Sequence, residues 1–335
     1  MRAQPVGIRS VSALAAGVRG AFLRVAIALA ALAFVPAGAA RAEGTPPTLR
    51  LGYQKSSTLT AVLKSNGELE KALAPLGVKV EWREFTSGLP LLEALNLGQV
   101  DFSADVADTV PIFAQAAGAK LVYVAQEAAS PGAEAILAPA QSPIKSLADL
   151  HGRKIAVTKG AGAHFLLLAA LQKAGLGFKD ISAAYLAPGD GRAAFVGGNV
   201  DAWVIWDPFL TSAVHETGAR VVADGTGLAS YKRYYLASEP FAASHGGELK
   251  IVFAKLQEAG VWTKSHPKEA AALLSGLWNI DAATVEDANS HRSYDVGAVT
   301  REGLAEQQII ADAFLREGLI PHTVDAGDVK IWRPE

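Results

Sequence analysis

Short runs of β-branched and apolar residues alternate along most of the chain with stretches whose apolar positions recur every three to four residues. Runs of the first kind lie at 49–54, 78–85, 100–104, 121–125, 133–138, 154–158, 183–186, 202–206, 220–223 and 234–237. Their length and the turn-forming residues between them are those of strands. Helical patterns at 91–97, 110–117, 164–174, 192–196 and 209–217 separate many of them. Strand–helix alternation of this kind predicts α/β units with largely parallel sheets. From Gly247 onward the pattern turns helical. Leu249, Val252, Phe253 and Leu256 fall at i, i+3, i+4 and i+7, and Ala305, Ile309, Ala313 and Leu319 form a similar stripe.

An internal repeat sharpens this picture. Gly98-Gln99-Val100-Asp101 recurs as Gly198-Asn199-Val200-Asp201, and Gly118-Ala119-Lys120-Leu121-Val122 recurs as Gly218-Ala219-Arg220-Val221-Val222. Earlier in each half, Leu51-Gly52-Tyr53-Gln54-Lys55 parallels Ile155-Ala156-Val157-Thr158-Lys159. Two matches in one register predict two similar α/β lobes with a cleft between them. The repeat breaks near 131–138 and 234–239, where the chain is expected to cross between lobes. Residues 43–132 plus 236–335 then form lobe 1, and 133–235 form lobe 2. Two crossings make a hinge.

The first 42 residues stand outside this pattern. Arg2, Arg9, Arg19 and Arg24 precede an apolar run from Val25 to Val35, which ends at Pro36, and Ala40-Arg41-Ala42 has the small-x-small form of a cleavage site. This reads as a secretory signal peptide cleaved near Ala42, with a periplasmic product. The run is well short of the roughly 20 residues that span a bilayer. Removing five arginines from the 31 basic residues leaves 26 against 33 acidic, a net of −7. That balance argues against a nucleic-acid partner. With 335 residues, half of them apolar, the chain has material for two lobes. It contains no cysteine, which excludes a disulfide scaffold, a thiolate metal site and a cysteine nucleophile. The seven histidines have no metal-ligand spacing, there is no Gly-x-Ser-x-Gly elbow, and no metal or cofactor is implied.

In open α/β sheets ligands bind beyond the carboxyl ends of the strands, where helix amino termini offer free N–H groups to an anion. Four strand ends stand out. Gln54, in Tyr53-Gln54-Lys55-Ser56-Ser57, can donate two hydrogen bonds, and the serines can cap a helix beginning near Leu59. Asp108, before the helix 110–117, can cap it or orient a ligand hydroxyl or amine. Gly160, Ala161 and Gly162 follow the strand 154–158 and form a turn in which successive N–H groups make an anion nest; His164, on the first helical turn, can donate to the same anion. Trp206 offers the cleft an apolar wall and an N–H, while Pro208 suits a first helical position with Asp207 as its cap. Arg192, with Asp190 near the start of the preceding helix, pairs with either the ligand or a carboxylate.

The same segments carry a family resemblance. Gly52-Tyr53-Gln54-Lys55, Pro111-Ile112-Phe113-Ala114-Gln115-Ala116-Ala117-Gly118, Ser142-Pro143-Ile144-Lys145 and Gly198-Asn199-Val200-Asp201-Ala202-Trp203, running into Ile205-Trp206-Asp207-Pro208, resemble the aliphatic sulfonate-binding proteins of ABC importers, as does the closing Ile331-Trp332-Arg333-Pro334. The resemblance covers about residues 48–334. It implies a type II periplasmic-binding-protein fold and a non-catalytic monomer that captures an alkanesulfonate and delivers it to a permease and its ATPase. It also implies that Gln54, Asp108, Gly160, Ala161, Gly162, His164, Trp206 and Asp207 line the cleft. Where the family's Lys-Gly turn is often serine-rich, this chain has Ala161-Gly162-Ala163, which removes hydroxyl donors and leaves backbone N–H groups able to hold the anion. Taurine, a sulfate ester, nitrate or a pyrimidine precursor are alternative ligands. A periplasmic enzyme or a sensor on the same fold is an alternative role; the leader and the missing cysteine weigh against the enzyme.

Overall fold

The computed structural model describes residues 47–334; the expected leader lies outside the described residues. All ten expected strands form, each within three residues of its expected bounds: β1 (Thr48–Gln54), β2 (Lys79–Phe85), β3 (Phe102–Ala107), β4 (Leu121–Glu127), β5 (Glu134–Ala138), β6 (Lys154–Val157), β7 (Ser182–Tyr185), β8 (Ala202–Trp206), β9 (Arg220–Asp224) and β10 (Arg233–Ser238). Two short strands without a sequence signal, β11 (Val296–Gly297) and β12 (Lys330–Ile331), add to them.

The strands make two sheets. One runs β11-β4-β10-β3-β1-β2 with β12 on β4, and the other runs β7-β6-β8-β5-β9. In each, three parallel strands (β2, β1, β3 and β7, β6, β8) lie beside one antiparallel strand, β10 or β5. That antiparallel strand is the one the chain enters on crossing from the other sheet. The two crossings run side by side, with Ser130 N–H donating to Ser230 O at 3.0 Å and Gly225 N–H donating to Pro131 O at 2.9 Å.

The sequence repeat has a structural cause. Asp101 and Asp201 each precede the third parallel strand of their sheet. Asp101 accepts Arg50 N–H at 2.8 Å through its carboxylate and donates its own N–H to Arg50 O. Asp201 makes the same pair of bonds with Lys154, its carboxylate accepting at 2.7 Å. Gly98 and Gly198 each hold φ at +67° in the turn before, a conformation that costs a side-chain-bearing residue. Each Gly-x-Val-Asp motif therefore clips the first parallel strand of its sheet to the third.

Trp203 is buried in the second sheet's core, 5.9 Å from the Phe195 ring, and Gly191 leaves the room that its indole fills. The helix Ala305–Arg316 reaches both halves. Its Phe314 ring lies 4.8 Å from Phe113, on the helix after β3, and 4.9 Å from His164, on the helix after β6.

Where the carboxyl edge of the first sheet meets the crossings, four charges are buried together. Arg292 donates to both oxygens of Glu127, at 2.7 and 2.6 Å, to Asp105 at 3.2 Å and to Ser56 O at 2.8 Å. Arg233 donates to Asp105 and to the Tyr231 hydroxyl, and Tyr235 donates to Glu127 at 2.7 Å. Breaking such a cluster leaves an uncompensated buried charge. Glu127→Gln is expected to lower unfolding free energy by about 3 kcal/mol, read as a drop in the urea midpoint; an unchanged midpoint would show that the cluster is not essential to stability.

Candidate functional site

Several strand ends bring their residues to one point. β1 delivers Gln54 and then Ser56, β3 delivers Ala107, and β8 delivers Trp206; Gly88 and Val110 come from the first sheet's helices, Ala161 and Gly162 from the turn after β6, and Tyr231 and Arg233 from the second crossing. Ser56, Gly88, Val110 and Ala161 with Gly162 stand at the amino-terminal ends of the helices Thr58–Asn66, Gly88–Asn96, Thr109–Ala116 and Gly162–Lys173. The first turn of a helix has N–H groups without an intrahelical partner and carries the positive end of its dipole. Four such ends therefore face one cavity.

The walls are tight. A side chain on Gly162 would begin 2.4 Å from Tyr231 Cε2, and one on Gly88 would begin 2.8 Å from Val110 Cγ2. The volume left between the walls is about 10 Å³, room for roughly one water. The lobes are thus closed on each other, and an organic anion requires them to part. A groove of about 810 Å³ lies at the opposite, amino-terminal edge of β1. Arg50 pairs there with Asp101 and Lys330 with Glu239, and among the described residues no unpartnered buried polar atom lines it.

The structure gathers some of the expected site residues and not others. Gln54, Ala161, Gly162 and Trp206 line the cavity; Asp108, Gly160, His164, Arg192 and Asp207 are not among its lining residues. The Gln54 amide donates to Asp105 O at 3.0 Å. Gly160 holds φ at +70° and packs against Leu89. It also turns His164 away: Gly160 N–H donates to His164 Nδ1 at 3.1 Å, and the ring sits among Phe178, Tyr185 and Phe314. Burial lowers its pKa to about 3, so the ring is neutral with its proton on Nε2. The expected capping by Asp108 is replaced by a link to the second crossing, in which its carboxyl accepts Lys232 N–H at 3.1 Å. Burial pushes Asp108 up to about 7. Arg192 takes the carboxylate alternative, pairing with Glu216 and donating to Ser212 at 2.9 Å. Pro208 precedes the helix Phe209–Thr217 instead of opening it. Asp207 serves the helix's first turn, accepting Thr211 N–H at 3.0 Å and the Thr211 hydroxyl at 2.6 Å.

Comparison with known proteins now bears on the whole chain. The family model described as NMT1/THI5 like matches residues 74–270. A curated protein of Escherichia coli K12, named for binding aliphatic sulfonates, is 44% identical over 311 residues, 92% of this chain and 96% of its own. The crystal structure of the periplasmic aliphatic sulphonate binding protein SsuA from Escherichia coli superposes with a TM-score of 0.78 at 44% identity, covering 87% of this chain and 94% of that one. The alkanesulfonate-binding protein SsuA from Xanthomonas axonopodis pv. citri bound to MOPS gives a TM-score of 0.81 at 37% identity, covering 86% and 99%. The chain belongs to the aliphatic sulfonate-binding protein family.

Its fold is accordingly the type II periplasmic-binding-protein fold that the sequence implied. No helix among the described residues of this aliphatic sulfonate-binding family member is long and apolar enough to cross a membrane. Sequence reading missed Gly88, Tyr231 and Arg233 on the cavity. Tyr231 and Arg233 flank the point where the chain re-enters the first sheet, and that role has no local signature.

A second link across the lobes was also missed. Asp207 Oδ2 takes His291 Nδ1 at 2.7 Å. Alongside, His215 of the helix Phe209–Thr217 meets Asp287 at 3.0 Å and Thr284 at 2.9 Å on the helix Ala282–Ser290. The hydrogen bond and charge of Asp207 raise His291 above the usual histidine pKa. Its protonated form therefore stabilises this packing below about pH 6.5, and the contribution is lost as pH rises through the raised value. His291→Ala is expected to cost about 1 kcal/mol at pH 6, where the partly exposed pair is charged, and less at pH 9. Denaturant unfolding of both proteins at the two pH values checks this, and an equal loss at both would refute the charged pair.

Proposed function

We propose that this chain is the periplasmic solute-binding component of an ABC importer, capturing aliphatic sulfonates in the interlobe cleft and presenting them to a membrane permease and its ATPase. The observation that supports it best is the meeting of four helix amino termini and the Trp206 ring on one cavity shared by both lobes, in a chain of this family. A sulfonate spreads one negative charge over three oxygens, each of which accepts hydrogen bonds. Backbone N–H groups of Gly162 and Ala163 and the helix ends opposite supply donors without a counter-ion. The Trp206 indole offers the alkyl tail an apolar wall.

The ligand bridges the lobes, so binding favours the closed state over the open one, and the closed form is what the permease reads. We take the lobes to be residues 43–132 with 236–335, and 133–235, working as a monomer after removal of a leader ending near Ala42. The chain binds its ligand and does not transform it, in keeping with the binding-protein names of its close relatives.

Thermal unfolding of the mature protein against ethanesulfonate, longer alkanesulfonates, taurine, sulfate, nitrate and a pyrimidine tests this reading. A ligand at 100 times its dissociation constant adds about 2.7 kcal/mol, which raises the midpoint by roughly 5 °C. Shifts with alkanesulfonates are expected. A shift with another compound and none with any sulfonate would reject the sulfonate assignment and keep the clamp.

A further inference from the structure

Two buried groups at or beside the cavity keep unpartnered polar atoms, Arg233 through its Nε and Glu134 through both carboxyl oxygens. Glu134 opens β5 directly after the first crossing and pairs across the sheet with Trp206. Directly opposed residues project from the same face of a sheet, so its carboxyl shares the face on which Trp206 lines the cavity. Glu134 is 0% exposed, and neither of its oxygens has a hydrogen-bond partner. Its Oε2 lies 2.9 Å from the point where a side chain on Gly162 would begin, which sets the acid against the first residue of the helix Gly162–Lys173. The two acids that the sequence offered for a ligand contact are engaged elsewhere, Asp108 with Lys232 N–H and Asp207 with Thr211 and His291.

The titratable groups around Glu134 come from separate elements. Asp108 faces it from the turn after β3, and Tyr231 and Arg233 face it from the second crossing and β10. Arg233 gives its two terminal nitrogens to Asp105 and the Tyr231 hydroxyl, and only its Nε is without a partner. A buried carboxylate that receives no hydrogen bond is costly, and burial, reinforced by Asp108, pushes the pKa of Glu134 well above the usual carboxyl range. The group is therefore a neutral acid with one O–H to give.

We propose that Glu134 is a ligand-recognising residue of the cleft, donating its O–H to an oxygen of the anion held at the amino terminus of the helix Gly162–Lys173. This rests on the anion-cleft reading above and adds a selection rule to it: the position beside Gly162 takes an oxyanion and offers an ammonium no opposite charge. Isothermal titration of the wild type, Glu134→Leu and Glu134→Gln with ethanesulfonate and with taurine tests it, with thermal melts confirming that each variant folds. Glu134→Leu, which has no donor, is expected to lose about tenfold in ethanesulfonate affinity, and Glu134→Gln, which restores an N–H, is expected to recover most of that loss. Unchanged binding by Glu134→Leu overturns the contact. A loss in Glu134→Gln as large as in Glu134→Leu overturns the neutral donor. A loss of taurine binding alone in Glu134→Gln identifies a carboxylate serving an ammonium and overturns the proposal as well. A wild type that binds neither sulfonate rejects the cleft reading itself, before any variant is compared.

Discussion

The buried cluster of Arg233, Arg292, Asp105 and Glu127 is the constraint on which the rest of the molecule depends. Two cations and two anions out of water must be mutually satisfied, because any one of them left alone is strongly destabilising. Asp105 comes from β3, Glu127 from β4, Arg233 from β10, and Arg292 from the segment after the helix Ala282–Ser290. Satisfying the cluster therefore fixes where the chain leaves the first sheet, where it re-enters it, and where its carboxyl-terminal helices dock. Arg292 also holds Ser56 O, which positions the turn from β1 into its helix. The cavity is built directly on this foundation, since Arg233 forms part of its wall.

The cluster also explains how a chain with net negative charge can hold an anion. Arg233 on the cavity wall has its charge balanced by Asp105, and its Nε is without a partner. Recognition rests mainly on dipoles fixed by the backbone, which need no reorganisation when the ligand arrives. Such donors are insensitive to the charge of the surrounding surface beyond a Debye length. Gly160 keeps the two lobes close enough for those donors to converge, because a side chain there would begin 2.6 Å from Leu89 Cδ1 of the other lobe.

Much of this was legible in the sequence. The strands announced themselves as apolar runs between turn residues, and the Gly-x-Val-Asp repeat anticipated the matching sheets because each aspartate performs the same backbone clip. What stayed hidden depends on contacts between distant segments. His164 occupies the helical turn that an anion-binding residue would, yet Gly160 captures its Nδ1, and the rings of Phe178, Tyr185 and Phe314, from three other places in the chain, enclose it. Glu134 reads as an ordinary strand-opening residue; only the packing of both crossings around it leaves its oxygens without partners. Asp207 carries the spacing of a helix cap and does serve the helix, but its second oxygen belongs to His291, 84 positions away.

Closure is the motion that this architecture serves. Paired crossings allow the lobes to part as units, while the Asp207–His291 and His215–Asp287 contacts and the shared cavity draw them together. The cavity as closed holds roughly one water, so capture of an organic anion must pass through an open form. Small-angle scattering of the mature protein with and without saturating ethanesulfonate tests this most directly. The account predicts that the radius of gyration falls when the ligand is added, as open molecules close around it. Saturation by the ligand with no change in the radius would contradict a clamp that shuts on its anion.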